Sequence, residues 1–184
     1  MHATSYLVDI RRSYANYRAL AEKALTQVTD AQLLVALDAD DNSIAVIMQH
    51  VAGNLRSRFT DFLIADGEKP DRNRDAEFEG RPGLGRAALM AEWDRAWTIV
   101  IGTLDALTES DLERTVHIRG EAFAVTEALN RSVTHTAYHV GQIVFLAKHL
   151  AGATWRSLSI PKGRSADVGV GTFKQQFVQE PTDR

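Results

Sequence analysis

From Tyr6 to Val28 the apolar residues Tyr6, Leu7, Ile10, Tyr14, Ala21, Ala24, Leu25 and Val28 recur at spacings of three and four, which predicts a first helix with one buried face. A second helix is predicted after "DADDNS", where Asn42 or Ser43 can cap free backbone N–H groups, running to a stop near Gly67. The third, Arg86 to Leu107, carries Leu89, Trp93, Ala96, Val100, Leu104 and Leu107 on one face. "TVHIRGEAFAV" alternates around Gly120 and reads as a short hairpin or an extended loop. Thr126 is the expected cap of a fourth helix that stops at Gly152.

The connection from Gly67 to Arg86 is rich in Gly, Pro and charge and has no apolar period. At roughly 20 residues it exceeds the usual link between antiparallel helices, so it predicts a crossover between parallel ones. Each half of the chain then reads as a long helix, a Thr-led connector ("VTDAQL", "LTESDL") and a capped helix bearing histidine. The expected fold is all-α: a four-helix bundle, up-down-down-up, with a long crossover between helices 2 and 3. One domain over residues 1–184 is expected, with 153–184 as a C-terminal tail.

Composition narrows the function. A net charge of -3 with no basic excess argues against nucleic acid as a partner. The chain has no cysteine, so any sulfur chemistry must use a thiol from outside. Charges at Asp9 and Arg11 interrupt any signal-peptide core, and no apolar run approaches the roughly 18 residues of a membrane span. The expectation is a cytoplasmic protein without a membrane partner.

The fourth predicted helix contains "SVTHTAYHVGQ", with His135 and His139 four positions apart and therefore on one face. That face reads Ala128, Ser132, His135, His139, Gln142, Leu146, polar where a bundle core should be apolar. The second predicted helix has a matching stripe of Ile47, His50, Asn54, Ser57 and Asp61. Two facing polar patches must satisfy one another or bind something, because unpaired buried polar groups cost about 1–3 kcal/mol each. Either three imidazoles share one ion, or these are core histidines hydrogen-bonded by Asn54 and Gln142. His2, His117 and His149 read as structural or surface residues.

Through "NSIAVIMQHVAGNLRSRFTDFL", "DGEKPDRNRDAEF", "THTAYHVGQIVFLAKHL" and "LSIPKGRS", the chain resembles the DinB/YfiT-like metalloenzyme superfamily over essentially its whole length, in a branch of undefined function. The resemblance implies a four-helix bundle in which His50, His135 and His139 bind a divalent metal, with zinc or nickel the expected ions. Relatives with assigned activities resemble transferases and isomerases that use low-molecular-weight thiols such as bacillithiol or mycothiol.

Three neutral imidazoles leave a divalent ion with an open position, as in catalytic sites. Such an ion either lowers the pKa of bound water for hydrolysis or binds an external thiol that attacks an electrophile. Hydrolysis wants a nearby base, and Asp61, eleven residues beyond His50, would lie about 16 Å away along a helix. Thiol transfer is therefore favoured. Asn54, Arg58 and Gln142 are the expected supporting or substrate-binding residues, and Arg56, Arg58, Arg156, Lys162 and Arg164 are candidate receivers of a thiol cofactor's carboxylates. The expected partners are a small thiol and an electrophile, with a homodimer as the assembly. The alternatives are a metal-dependent hydrolase and a noncatalytic metal-binding module; no catalytic residue is assigned.

Overall fold

A computed structural model of the chain describes residues 3–81 and 83–167. Most of these are helical: α1 (Ala3–Leu25), a single-turn α2 (Asp30–Leu33), α3 (Ile44–Phe59), α4 (Arg86–Ala106) and α5 (Val125–Ala151). Between α4 and α5 the chain forms one antiparallel hairpin, β1 (Thr115–Ile118) with β2 (Glu121–Ala124), in which Thr115 faces Ala124 and Ile118 faces Glu121. The hairpin was one of the two readings of "TVHIRGEAFAV", and it adds a small sheet to the expected all-α class.

The apolar stripes do what their spacing predicts. Leu7, Ile10, Tyr14, Ala21, Ala24 and Leu25 of α1 are buried, as are Leu89, Trp93, Ala96, Val100 and Leu104 of α4. Trp97, off the predicted α4 stripe, is fully buried as well and meets Tyr14 edge to face at 6.1 Å. Helix α3 behaves differently, because every residue from Ile44 to Ala52 is buried. A helix buried on all sides must be covered on all sides. It packs against α4, α5 and the 3-10 turn Asp75–Phe78 of the long connection, while α1 packs chiefly on α5.

Several boundaries differ from the sequence reading. Helix α3 ends at Phe59 and not near Gly67: Thr60 turns extended, its hydroxyl bonds the Arg56 carbonyl at 2.7 Å, and Asp61 takes a φ of 50°. Asp61 is thus off the helix and off the histidine stripe. The cap of α5 is Ala124, whose N–H donates to the Glu127 carboxylate at 2.8 Å, so Thr126 lies inside the helix. "VTDAQL" is a helix start in its own right, since Thr29 and Gln32 form a reciprocal capping box on α2. Of the expected tail, Trp155 and Leu158 pack on the core and Arg156 exchanges two hydrogen bonds with Gln27; residues 168–184 lie outside the described residues.

The hairpin and the crossover are tied together at one carboxylate. The hairpin turns at Arg119 and Gly120, both with positive φ (56° and 78°), as a tight two-residue turn requires. Asp66 accepts from the N–H groups of Arg119 and Gly120, each at 2.8 Å, and from Glu68 N–H at 2.7 Å. The Glu68 amide first, then those of Gly120 and Arg119, hold its carboxyl below the usual carboxylate range. Asp66→Ala is expected to lower unfolding free energy by about 1–2 kcal/mol, the loss of charge-assisted hydrogen bonds at a partly exposed site. Because the folded pKa is depressed, that difference should be present above about pH 4 and shrink in more acid solution. Urea unfolding of wild type and variant at pH 7 and pH 3 checks both statements.

Candidate metal centre

Helix α3 presents His50 inward, and α5 presents His135 and His139 one turn apart, so three imidazoles meet between the two helices. One nitrogen from each lies within 4.8 Å of the others. The ring centroids are 5.2 Å (His50–His135), 4.8 Å (His50–His139) and 4.6 Å (His135–His139) apart. His50 and His139 are buried and His135 is partly open.

Two neighbours fix which nitrogens face the centre. His50 donates from Nδ1 to Glu77 Oε2 at 2.9 Å, and His139 donates from Nδ1 to Gln142 Oε1 at 2.8 Å. A neutral imidazole that donates from Nδ1 carries its lone pair on Nε2. His50 Nε2 faces His135 Nε2 at 3.3 Å, and His139 Nε2 is buried with no hydrogen-bond partner in the protein. An orphaned buried acceptor beside two more imidazole nitrogens is a donor set suited to a divalent ion, with two of the three rings held from behind.

Glu77 was not among the residues singled out from sequence, yet it is the best-supported partner in the centre. Arg72, only 2% exposed at its side chain, donates to both of its oxygens at 2.8 and 2.9 Å. Burial alone would raise the Glu77 carboxyl, but the hydrogen bonds from Arg72 and His50 and the Arg72 charge keep it below its usual range. The carboxylate reaches His50 because Gly53, one turn along α3, has no side chain: a Cβ there would sit 2.2 Å from Glu77 Oε1. Phe78, the next residue, lies over the His50 ring at 4.6 Å. The signal was inside "DGEKPDRNRDAEF", where an acid and an aromatic adjoin within a segment that has no apolar period.

His135 and His139 are held neutral. His135 is pushed down to about 3, by burial first and then by its histidine neighbours and the Arg72 and Arg58 charges. His139 falls to about 4, with burial the main cause and the Gln142 hydrogen bond opposing it.

The other expected residues are distributed around this centre. Asn54 is buried and lines the cleft above it, but Glu77 and not Asn54 partners His50. Gln142 Oε1 accepts from His139 Nδ1. Arg58 also lines the cleft, with its guanidinium engaged by the Gly67 carbonyl and by Glu68 at 3.1 Å. Arg56 pairs with Asp71 on the surface, the Arg156 backbone is bonded to the Gln27 side chain, and the Arg164 guanidinium pairs with Asp167. His117 and His149 are exposed, and His2 lies outside the described residues. The cleft has a volume of about 660 Å³, with Tyr138, Phe78 and Ile118 as apolar walls.

The family profile described as "Protein of unknown function (DUF1572)" matches residues 1–164, and the chain belongs to that family, which is DinB-like. None of the curated proteins compared with the chain matches it. Among the described residues no helix is long and apolar enough to cross a membrane.

Gly53→Ala would normally stabilise a helix by about 1 kcal/mol. Here it should displace Glu77 and weaken divalent-metal affinity about tenfold or more, with Glu77→Gln acting in the same direction, as loss of a brace behind a ligand does. Competitive titration against a chelating dye measures both. Metal-free protein should also lose stability as pH falls from about 6.5 towards 4. In that window the unfolded histidines take up protons that folded His135 and His139, at about 3 and 4, refuse. A His135→Asn, His139→Asn double variant should show a flatter dependence of unfolding free energy on pH; an unchanged slope would contradict the depressed values.

Proposed function

We propose that His50, His135 and His139 hold one divalent ion, zinc or nickel, in a DinB-like up-down-down-up bundle. There the protein activates an external low-molecular-weight thiol, of the bacillithiol or mycothiol type, for attack on an electrophile. The observation that supports the reading is the convergence of three imidazoles, of which His50 and His139 are held from behind by Glu77 and Gln142 and His139 Nε2 is buried without a protein partner. A divalent ion there would supply Lewis acidity, favouring the thiolate of an incoming thiol at neutral pH. The chain's own residues do the rest: Glu77 and Gln142 orient two ligands, and Phe78, Ile118 and Tyr138 limit water around the reacting sulfur.

Transfer is favoured over hydrolysis by the cleft lining, which among the described residues contains no aspartate or glutamate to serve as base for a water nucleophile. A thiol needs no such base once its proton has passed to solvent; its sulfur then forms the new bond to the electrophilic carbon while the bond from that carbon to the leaving group breaks, the leaving group taking the electron pair and a proton from solvent.

Purified protein is expected to bind about one divalent ion per chain, since one set of three ligands defines one mononuclear site. His135→Ala should lose metal by elemental analysis and His149→Ala should retain it. Cobalt-substituted protein should gain a sulfur-to-metal charge-transfer band when a small thiol is added, and the chain has no cysteine to produce that band itself. Equal metal content in wild type and His135→Ala would defeat the centre. No band with any thiol, together with metal-dependent cleavage of esters or amides, would replace transferase by hydrolase; silence in both assays would leave a noncatalytic metal-binding module.

A further inference from the structure

The cleft above the histidines is lopsided in charge. Among the described residues five arginines line it, Arg58, Arg72, Arg74, Arg119 and Arg131, and no acid does, although the whole chain is net negative at -3. Three of the five are already engaged by carboxylates set outside the lining: Glu68 accepts from Arg58 at 3.1 Å and from Arg119 at 3.0 Å, and Glu77 accepts from Arg72. Arg74 and Arg131 are different. Each guanidinium lies over a phenyl ring, Arg74 over Phe78 at 5.0 Å and Arg131 over Phe123 at 5.9 Å. Ring stacking orients a guanidinium without using its N–H donors. Arg131 has no carboxylate partner among the described residues, and Arg74 approaches only the exposed Asp75, at 3.9 Å. Arg131 precedes His135 by four residues on α5, so the open guanidinium and the histidine centre share one helix face about 6 Å apart along its axis.

We propose that the cleft takes a small anionic molecule whose carboxylate or phosphate group docks on Arg131, with Arg74 at the same mouth, while its other end lies against the three imidazoles. The anion site stands on the arginines alone. Its use to position a thiol or an electrophile rests on the transferase reading above.

Calorimetric titration of the protein, metal-free and zinc-loaded, with succinate, uncharged succinamide and inorganic phosphate tests it. Succinate or phosphate should bind and succinamide should not, and whichever anion binds more tightly identifies the group as carboxylate or phosphate. Arg131→Gln should weaken that binding about tenfold or more, the loss of one charge-assisted contact, with Arg131→Lys restoring part of it and added salt weakening all of it. Arg74→Gln, with a smaller effect in the same direction, serves if Arg131→Gln does not fold. Anions that bind no better than succinamide, or equally well to both glutamine variants, would overturn the proposal, and so would binding that needs zinc and ignores Arg131. A second pair separates this idea from the thiol reading. If mercaptosuccinate and uncharged 2-mercaptoethanol give the cobalt band at equal concentrations, the anion site falls and thiol activation stands. If succinate binds through Arg131 and no thiol gives a band, the anion site stands and thiol activation falls.

Discussion

The Glu77 carboxylate, clasped by Arg72 on one side and by His50 Nδ1 on the other, is the interaction on which the rest of the centre depends. A nearly buried carboxylate and a nearly buried guanidinium are tolerated only because each satisfies the other, and removing one member of such a pair typically costs about 3–5 kcal/mol. The pair joins two parts of the chain that the apolar pattern does not connect. Arg72 and Glu77 belong to the long connection after α3, whereas His50 and Gly53 belong to α3 itself. The notch at Gly53 lets the connection close on the helix, and that closure sets the tautomer of the first histidine.

The same closure explains why α3 is buried from Ile44 to Ala52, polar residues included. A helix facing only α4 and α5 would leave a third side to water. The 3-10 turn at Asp75–Phe78 covers that side and places Phe78 on the His50 ring. The start of the connection is anchored separately: Gly67 N–H donates to the His117 carbonyl at 2.7 Å and Ser57 bonds the Gly67 carbonyl at 2.8 Å, while Asp66 holds the hairpin turn. A segment that looks like a linker by composition is therefore the lid of the core helix and a wall of the cleft.

What could be read from the sequence follows from periodicity. The stripes of α1 and α4, and the histidine stripe of α5, were legible because one-sided burial imposes spacings of three and four. The three histidines were legible because polar residues interrupt those stripes at facing positions. The end of α3 was not, since "TDFL" continues the apolar pattern past Phe59 while Thr60 turns the chain through a side-chain bond that periodicity does not register. That error placed Asp61 on the wrong surface. Glu77 and Arg72 were missed for a related reason: a charged pair buried in an irregular loop leaves no period, and its composition is that of a solvated linker. Arg58 was noticed and Arg131 was not, because which arginine is free depends on where Glu68 lies in three dimensions.

The arginines and the histidines act through one electrostatic field. Positive charge from Arg72 and Arg58 adds to burial in disfavouring a proton on His135, so the imidazole nitrogens stay bare at pH values where free histidine would be charged. Bare nitrogens are what a cation needs, yet the surrounding guanidinium groups repel one. The geometry reconciles these demands by neutralising the arginine behind the histidines: Arg72 is held by Glu77 beside His50, whereas Arg131, a full helical turn from His135, has no carboxylate partner among the described residues. The imidazole nitrogens thus lie at the floor of the cleft and the ring-stacked guanidinium groups of Arg74 and Arg131 along its wall. On the two proposals above, a ligand that spans both is negative at one end and electron-rich at the other.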